Sequence, residues 1–204
     1  PQHKYLRLFF FFFLEAVQEA LKKLDVHVSM PVVADIVSRS TETAIFQDTK
    51  FVKYSMLTRL VKQKNEKTEE PHSPAKYISD SDIGEIEKLF EDEFNIYVDQ
   101  IPSRMDITNA INNDEIIGMW AKNSLAGFLW FERNGRTSII RYWCVAPDCR
   151  DKKIGSGLLR TYLSICSDSL RHLLWVKDTN ENAIKRYNHY GYSADGTFDL
   201  IFVK

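Results

Sequence analysis

Apolar positions in the carboxyl-terminal half of this chain recur at helical spacing in some stretches and run together or alternate in others. Ile83, Ile86, Leu89, Phe90 and Phe94 fall at steps of three and four, which predicts a helix capped by Asp80 or Ser81. Met105, Ile107 and Ile111 supply the apolar face of a second helix over 103–112. Two β runs follow at 115–122 and 125–132, and the short turn Asn123-Ser124 between them predicts a hairpin. A longer run at 137–145 ends at Ala146-Pro147. Beyond it the pattern predicts a helix at about 155–168, a strand at 173–177, a helix at 180–190 stopped by Gly191, and a last strand at 198–204. With a short strand at 76–79, the order β-α-α-β-β-β-α-β-α-β predicts an α/β fold, a mixed twisted sheet with helices on both faces.

Upstream the pattern predicts a helix at about 9–24, a strand at 26–30, a helix starting after Pro31, and extended pieces near 44–46 and 51–56. The apolar run Leu8 to Leu14, with five consecutive phenylalanines behind Lys4 and Arg7, has the look of a secretion signal. It is too short to span a bilayer, which needs about 20 apolar residues. Glu15 follows at once and no small-residue cleavage site does, so the run is read as the start of a buried helix. The stretch Lys62 to Pro74 (KQKNEKTEEPHSP) has two prolines and no large apolar residue. That composition predicts an exposed linker at 62–75 between a smaller α/β subdomain at 1–61 and the main domain at 76–204.

A chain of 204 residues, 44% hydrophobic, has enough apolar surface for such a domain with an added subdomain. Lys and Arg number 27 against 28 Asp and Glu, so charge gives no reason to expect nucleic acid as a partner. Cys144, Cys149 and Cys166 are odd in number and lack a C-x-x-C spacing, which argues for a reducing compartment and a cytoplasmic protein. The five histidines fall neither near one another nor near cysteines at ligand spacing, so no metal site is expected.

Two segments carry candidate chemistry. Between the strand ending at Val145 and the next helix lies Arg150-Asp-Lys-Lys153-Ile-Gly155-Ser-Gly157-Leu-Leu. A helix start leaves about four backbone N–H groups without intrahelical partners and carries partial positive charge, an arrangement suited to an anion. Gly155 and Gly157 remove side chains there, and Arg150, Lys152 and Lys153 add charge. The glycines complete neither G-x-x-x-x-G-K-[ST] nor G-x-G-x-x-G, which sets aside the common nucleotide loops. In the second segment, Asn180, Ala183 and Tyr187 share one helix face; periodicity alone leaves core packing as the commoner explanation of that stripe.

Taken together, Arg150-x-x-Lys153-Ile-Gly155-Ser-Gly157 and Asn180-x-x-Ala183-Ile-x-x-Tyr187-x-x-x-Gly191-Tyr192 resemble the acyl-CoA signature of the GNAT superfamily of N-acetyltransferases. The resemblance covers about residues 75–204, with the Asn180–Tyr187 motif the more specific part and Lys153 standing where the family usually has glycine. It implies that Arg150 and the backbone N–H groups of Asp151, Lys152, Lys153, Ile154, Gly155 and Ser156 bind the CoA diphosphate. It also implies that backbone at Cys144 and Val145 runs alongside the pantetheine arm, where free N–H groups would polarise the thioester carbonyl. Asn180 would bind the pantetheine amide, and Tyr187 would protonate the departing thiolate.

An amine acceptor reaches the site as ammonium and must lose a proton, for which Glu132 and Tyr142 are the candidate bases. A solvated strand end next to Arg133 is the commoner explanation of Glu132, and core packing explains Tyr142 equally well. The resemblance implies direct attack, with no thiol nucleophile, and acetyl-CoA as co-substrate with no metal. Residues 9–61 partly echo the alternation of the second half and read either as a degenerate half-domain walling the acceptor site or as an unrelated cap. The ending Gly191-Tyr-x-x-x-Gly196-Thr-Phe198 is loosely similar to acetyltransferases of nucleotide-linked amino sugars, dTDP-fucosamine among them. Three functions therefore stand: acetylation of a small-molecule amine, acetylation of a protein terminus or lysine, and acyl-CoA binding without catalysis.

Overall fold

The computed structural model describes residues 5–9, 19, 21–23, 30–41, 46, 48–64 and 75–204. Besides helical residues at 19 and 21–23 and two short 3₁₀ turns, the described residues form nine strands and four helices, in two compact units. The strands are β1 (Leu6–Phe9), β2 (Val32–Ser38), β3 (Val52–Gln63), β4 (Lys76–Tyr77), β5 (Ile116–Ala121), β6 (Ser124–Asn134), β7 (Thr137–Val145), β8 (Arg171–Lys177) and β9 (Ser193–Val203). The helices are α1 (Ile83–Glu93), α2 (Arg104–Asn112), α3 (Ile154–Ile165) and α4 (Glu181–His189).

The second unit comprises residues 61–95 and 100–174. Its strands lie in the order β4-β5-β6-β7-β8, antiparallel except for the parallel pair β7/β8. Alternation along β6 and β7 divides their side chains between two faces. Phe128, Trp130, Tyr142 and Cys144 join Ile86, Phe90 and Ile107 of α1 and α2 in one cluster. Phe131 and Trp143 point the other way, toward Tyr162 and Gly155 of α3. Helices thus cover both faces, as the alternating pattern predicts.

Local chemistry places the helix starts. Ser103 caps α2 and forms a reciprocal capping box with Asp106, while Ser79 and Asp82 form another ahead of α1. The hairpin turn differs by one residue from the expectation. Ala121 pairs with Ser124, so the turn residues are Lys122 and Asn123, with φ of 51° and 66°. Two positive φ values give the twist that a two-residue hairpin needs.

The first unit comprises residues 1–60, 96–99 and 175–204. Its strand order is β1-β2-β9-β3, with β1/β2 parallel and β2/β9 antiparallel. Val32, Ala34, Phe46, Phe51, Leu200 and Phe202 form its main cluster, and Phe46 stacks on Phe202 at 3.6 Å between ring centroids. On the opposite face the buried Asp35 accepts from Arg7 Nε at 2.6 Å, and Arg7 also donates to the carbonyl of Tyr97 at 2.9 Å.

Three amino-terminal expectations are corrected. Leu6–Phe9 is a strand rather than the beginning of a helix, because it has a parallel partner in β2 and aromatic residues suit a pleated surface. The segment after Pro31 is strand β2 rather than a helix: Val32, Val33 and Ala34 are wholly buried, and such β-branched runs suit an interior strand. β3 runs on through Lys62 and Gln63, the first residues of the expected linker. The remainder of that linker at 65–74, most of the expected helix at 9–24, and nearly all of the pieces at 26–30 and 44–46 lie outside the described residues. Among the described residues no helix is long and apolar enough to cross a membrane.

Candidate active site

Strand β7 is the backbone of the site. Its pairing with β8 runs from Thr137↔Arg171 to Ile140↔Leu174 and stops there, while its pairing with β6 continues to Val145. At the same place the register with β6 shifts: Trp130 faces Tyr142 but Phe131 faces Ile140, which leaves Arg141 as an extra, bulged residue. A bulge bends a strand and re-aims its side chains. Residues 141–145, Cys144 and Val145 included, therefore extend beyond the last recorded pair with β8, the stretch expected to lie along the pantetheine arm.

Past Val145 a 3₁₀ turn at Pro147–Cys149 leads into the turn that opens α3. Asp151 and Lys153 are both left-handed, with φ of 62° and 61°. Lys153 is the N-cap of α3 and thus holds the conformation that glycine supplies most readily. Turns of this kind gather backbone N–H groups around an anion, and here they sit at the positive end of a helix. The residues present fit a diphosphate, with two side-chain details that the sequence does not reveal. Arg150 is ion-paired with Glu93 at the end of α1, and Lys152 Nζ donates to the Asp148 carbonyl at 2.5 Å.

Gly155 is buried rather than on the surface of the turn. A Cβ there would come within 3.2 Å of Trp143 Cζ2 and 3.5 Å of a Val145 methyl. The glycine serves close packing of α3 on β7, whatever it does for a ligand. Cys144 is also buried, and its thiol is pushed up to about 12 by burial and then by the Glu93 carboxylate, with Arg150 opposing. Such a thiol stays protonated at neutral pH and is a poor nucleophile.

On the α1/α2 face of the same unit lies a cavity of about 370 Å³. Glu132 and Tyr142, the two candidate bases, both line it, together with Asp106, Glu115, Trp130 and Arg141. Glu132 is 3.6 Å from Arg141 Nε. The Tyr142 hydroxyl donates to the Gln100 carbonyl at 2.6 Å. Glu115 carries no sequence signal beyond that of a polar residue at the start of a strand. Burial raises its carboxyl above the ordinary range, the Glu132 charge raises it further, and Trp130 and Arg133 act in the opposite sense.

Asn180 and Tyr187 belong to the first unit. Asn180 is the N-cap of α4, its Oδ1 accepting from the Ala183 N–H at 3.2 Å, so the Asn-x-x-Ala spacing is in the first instance a helix start. Tyr187 is buried in an edge-to-face contact with Tyr192, ring centroids 5.9 Å apart. Burial raises its phenol well above the ordinary value, with Arg186 opposing weakly, so it retains its proton at neutral pH. Among the described residues no group of three or more His, Cys, Asp or Glu is placed to hold a metal ion.

A strand that outruns its parallel neighbour, a left-handed turn opening a helix beside it, and a polar cavity along the same strand thus lie within one unit. The chain belongs to the acetyltransferase (GNAT) family, whose model matches residues 82–192. Among solved structures it is similar to a GNAT-family acetyltransferase from Colwellia psychrerythraea (TM-score 0.62, 14% identity, 94% of this chain and 73% of that one). It is likewise similar to a GCN5-related N-acetyltransferase from Sphaerobacter thermophilus (TM-score 0.66, 13% identity, 85% and 60%). The PaiA N-acetyltransferase from Thermoplasma acidophilum, solved with coenzyme A, aligns over 63% of this chain and 96% of its own (TM-score 0.52, 19% identity). A search of functionally curated proteins found no match. The protein is an acetyltransferase enzyme of a family that uses acetyl-CoA.

Proposed function

We infer that the enzyme transfers an acetyl group from acetyl-CoA to the primary amine of a small molecule by direct attack. The observation that carries this reading is the cavity beside Tyr142, which shares a strand face with Cys144. Two residues along a strand is about 7 Å, so an amine held in the cavity lies within reach of a thioester alongside Cys144 and Val145. A cavity of about 370 Å³ suits a small acceptor.

Each residue then has a role. Arg150 and the N–H groups from Asp151 to Ser156 hold the diphosphate. Glu132 takes the proton that the attacking ammonium loses, in preference to Tyr142, whose hydroxyl is donated to Gln100. The amine nitrogen bonds to the thioester carbon, backbone N–H groups at Cys144 and Val145 steady the oxygen, and the carbon–sulfur bond breaks. Tyr187 gives its proton to the sulfur and regains one from the nitrogen as the amide forms, and Asn180 holds the pantetheine amide as well as capping α4.

Titration calorimetry of the full chain with CoA, followed by mass spectrometry of acetyl transfer to small amines and to peptides, tests this reading. Saturable CoA binding and acetylation of small amines are expected. Acetylation of peptides alone would reassign the acceptor, and CoA binding without transfer to any amine would make the protein a binding module.

A further inference from the structure

The cavity is more selective than an opening for any amine. Asp106, Glu115 and Glu132 line it against the single guanidinium of Arg141, so its wall carries net negative charge. Asp106 is held ionised by bonds from the Ser103 hydroxyl and N–H. Glu115 and Glu132 lie close enough to repel, a cost that a ligand cation between them would remove. A second feature of the wall is independent of charge. Trp130 is 6% exposed, and its Nε1 is buried without a hydrogen-bond partner at normal geometry, near enough to Glu115 only to favour that carboxylate's charged form. A buried unpaired donor is costly, and a bound oxygen would satisfy it. The amides of Asn109 and Asn113 also line the cavity and suit neutral oxygens.

Resting on the acetyltransferase reading, we propose that this cavity is the acceptor subsite and selects a hydroxylated primary amine of net positive charge, an amino sugar or amino alcohol. In it Glu115 and Glu132 hold the ammonium, and Trp130 Nε1–H donates to a hydroxyl beside it. An ammonium that draws Glu115 toward Glu132 leaves the indole N–H to a ligand hydroxyl. A bare diamine leaves Trp130 and the amides unpaired. A zwitterionic amino acid brings a carboxylate into an already negative wall.

Glucosamine, 1,4-diaminobutane and serine are the probes, with the full chain, and both their binding without acetyl-CoA and their acetylation are measured. Glucosamine is expected to bind most tightly and to be acetylated with kcat/KM at least about tenfold above the other two. Glu115→Gln is expected to raise the KM for glucosamine by about tenfold while the Kd for CoA is unchanged. Trp130→Phe should weaken glucosamine and leave diaminobutane as it was. A preference for diaminobutane or serine overturns the proposal. So does a folded Glu115→Gln variant that binds glucosamine like the parent. Loss of glucosamine binding in Glu115→Gln, in a protein that binds no CoA, would uphold the cavity assignment and remove the acetyltransferase reading instead.

Discussion

Glu93, at the end of α1, holds the guanidinium of Arg150, the residue expected to meet the CoA diphosphate. The two side chains are 21% and 55% exposed, so the pair is partly solvated and of modest strength. Glu93 also contributes to raising the Cys144 thiol. One carboxylate therefore competes with the ligand for the principal cation of the turn. Replacing it with glutamine keeps the shape and releases Arg150.

Glu93→Gln is expected to tighten CoA binding by a factor of about two to five, the size of a partly exposed ion pair. Calorimetric titration at low and high salt checks it, and the gain should shrink as salt rises.

Lys153 at φ 61° occupies a region that costs a side-chain-bearing residue roughly 1–2 kcal/mol. Lys153→Gly is expected to raise stability by about 0.5–1 kcal/mol, since glycine's greater freedom in the unfolded chain offsets part of the relief. Urea unfolding measures it. If charge at this place aids the diphosphate, CoA affinity should fall in the same variant.

Tyr187 keeps its proton because burial raises its phenol, the state a general acid needs. Tyr187→Phe preserves the edge-to-face contact with Tyr192 and removes the proton. General-acid assistance is worth about 10²–10⁴ in rate, and CoA thiolate is a fair leaving group, so a fall in kcat near about 10² is expected. CoA affinity should be unchanged. Single-turnover rates decide it; equal rates would make Tyr187 a packing residue.

His172 is 4% exposed, within 2.8 Å of the Ser138 hydroxyl, and burial, with Lys62 adding to it, lowers its pKa to about 4. The unfolded chain binds the proton near the ordinary value of 6.5, so between these values it holds more protons than the folded protein, and stability falls as pH falls. Asp199 acts in the opposite sense: burial and the Asp35 charge raise it to about 7, so stability rises as pH falls from there toward the ordinary 3.8. The two nearly cancel between pH 6.5 and 4. Asp199→Asn is expected to expose the histidine's loss, of order 3 kcal/mol at most, as a steep acid limb in urea unfolding. A pH-independent variant would show that His172 is not the group responsible.

Elements with strong local signals are legible in the amino-acid sequence. The strand 137–145, the Ser103-capped helix and the turn opening α3 each have their cause within a few residues: alternation, a capping box, a helix start. The left-handed conformation of Lys153, in contrast, is disclosed only by the structure. What the sequence does not disclose depends on partners distant along the chain. The strand character of Leu6–Phe9 and Val32–Ser38 comes from pairing with each other and, for Val32–Ser38, with residues near 200, which overrides the apolar continuity that suggests helices. Gly155 reads as room for a phosphate, yet a Cβ at this position would press on Trp143. Glu115 has no motif at all and becomes notable because β5 and β6 bring it toward Trp130 and Glu132. Sequence determined which residues could do chemistry with an acyl-CoA. Tertiary structure decided which were engaged elsewhere, as Arg150 is by Glu93, and which carboxylates share a cavity, because charge and burial act through space rather than along the chain.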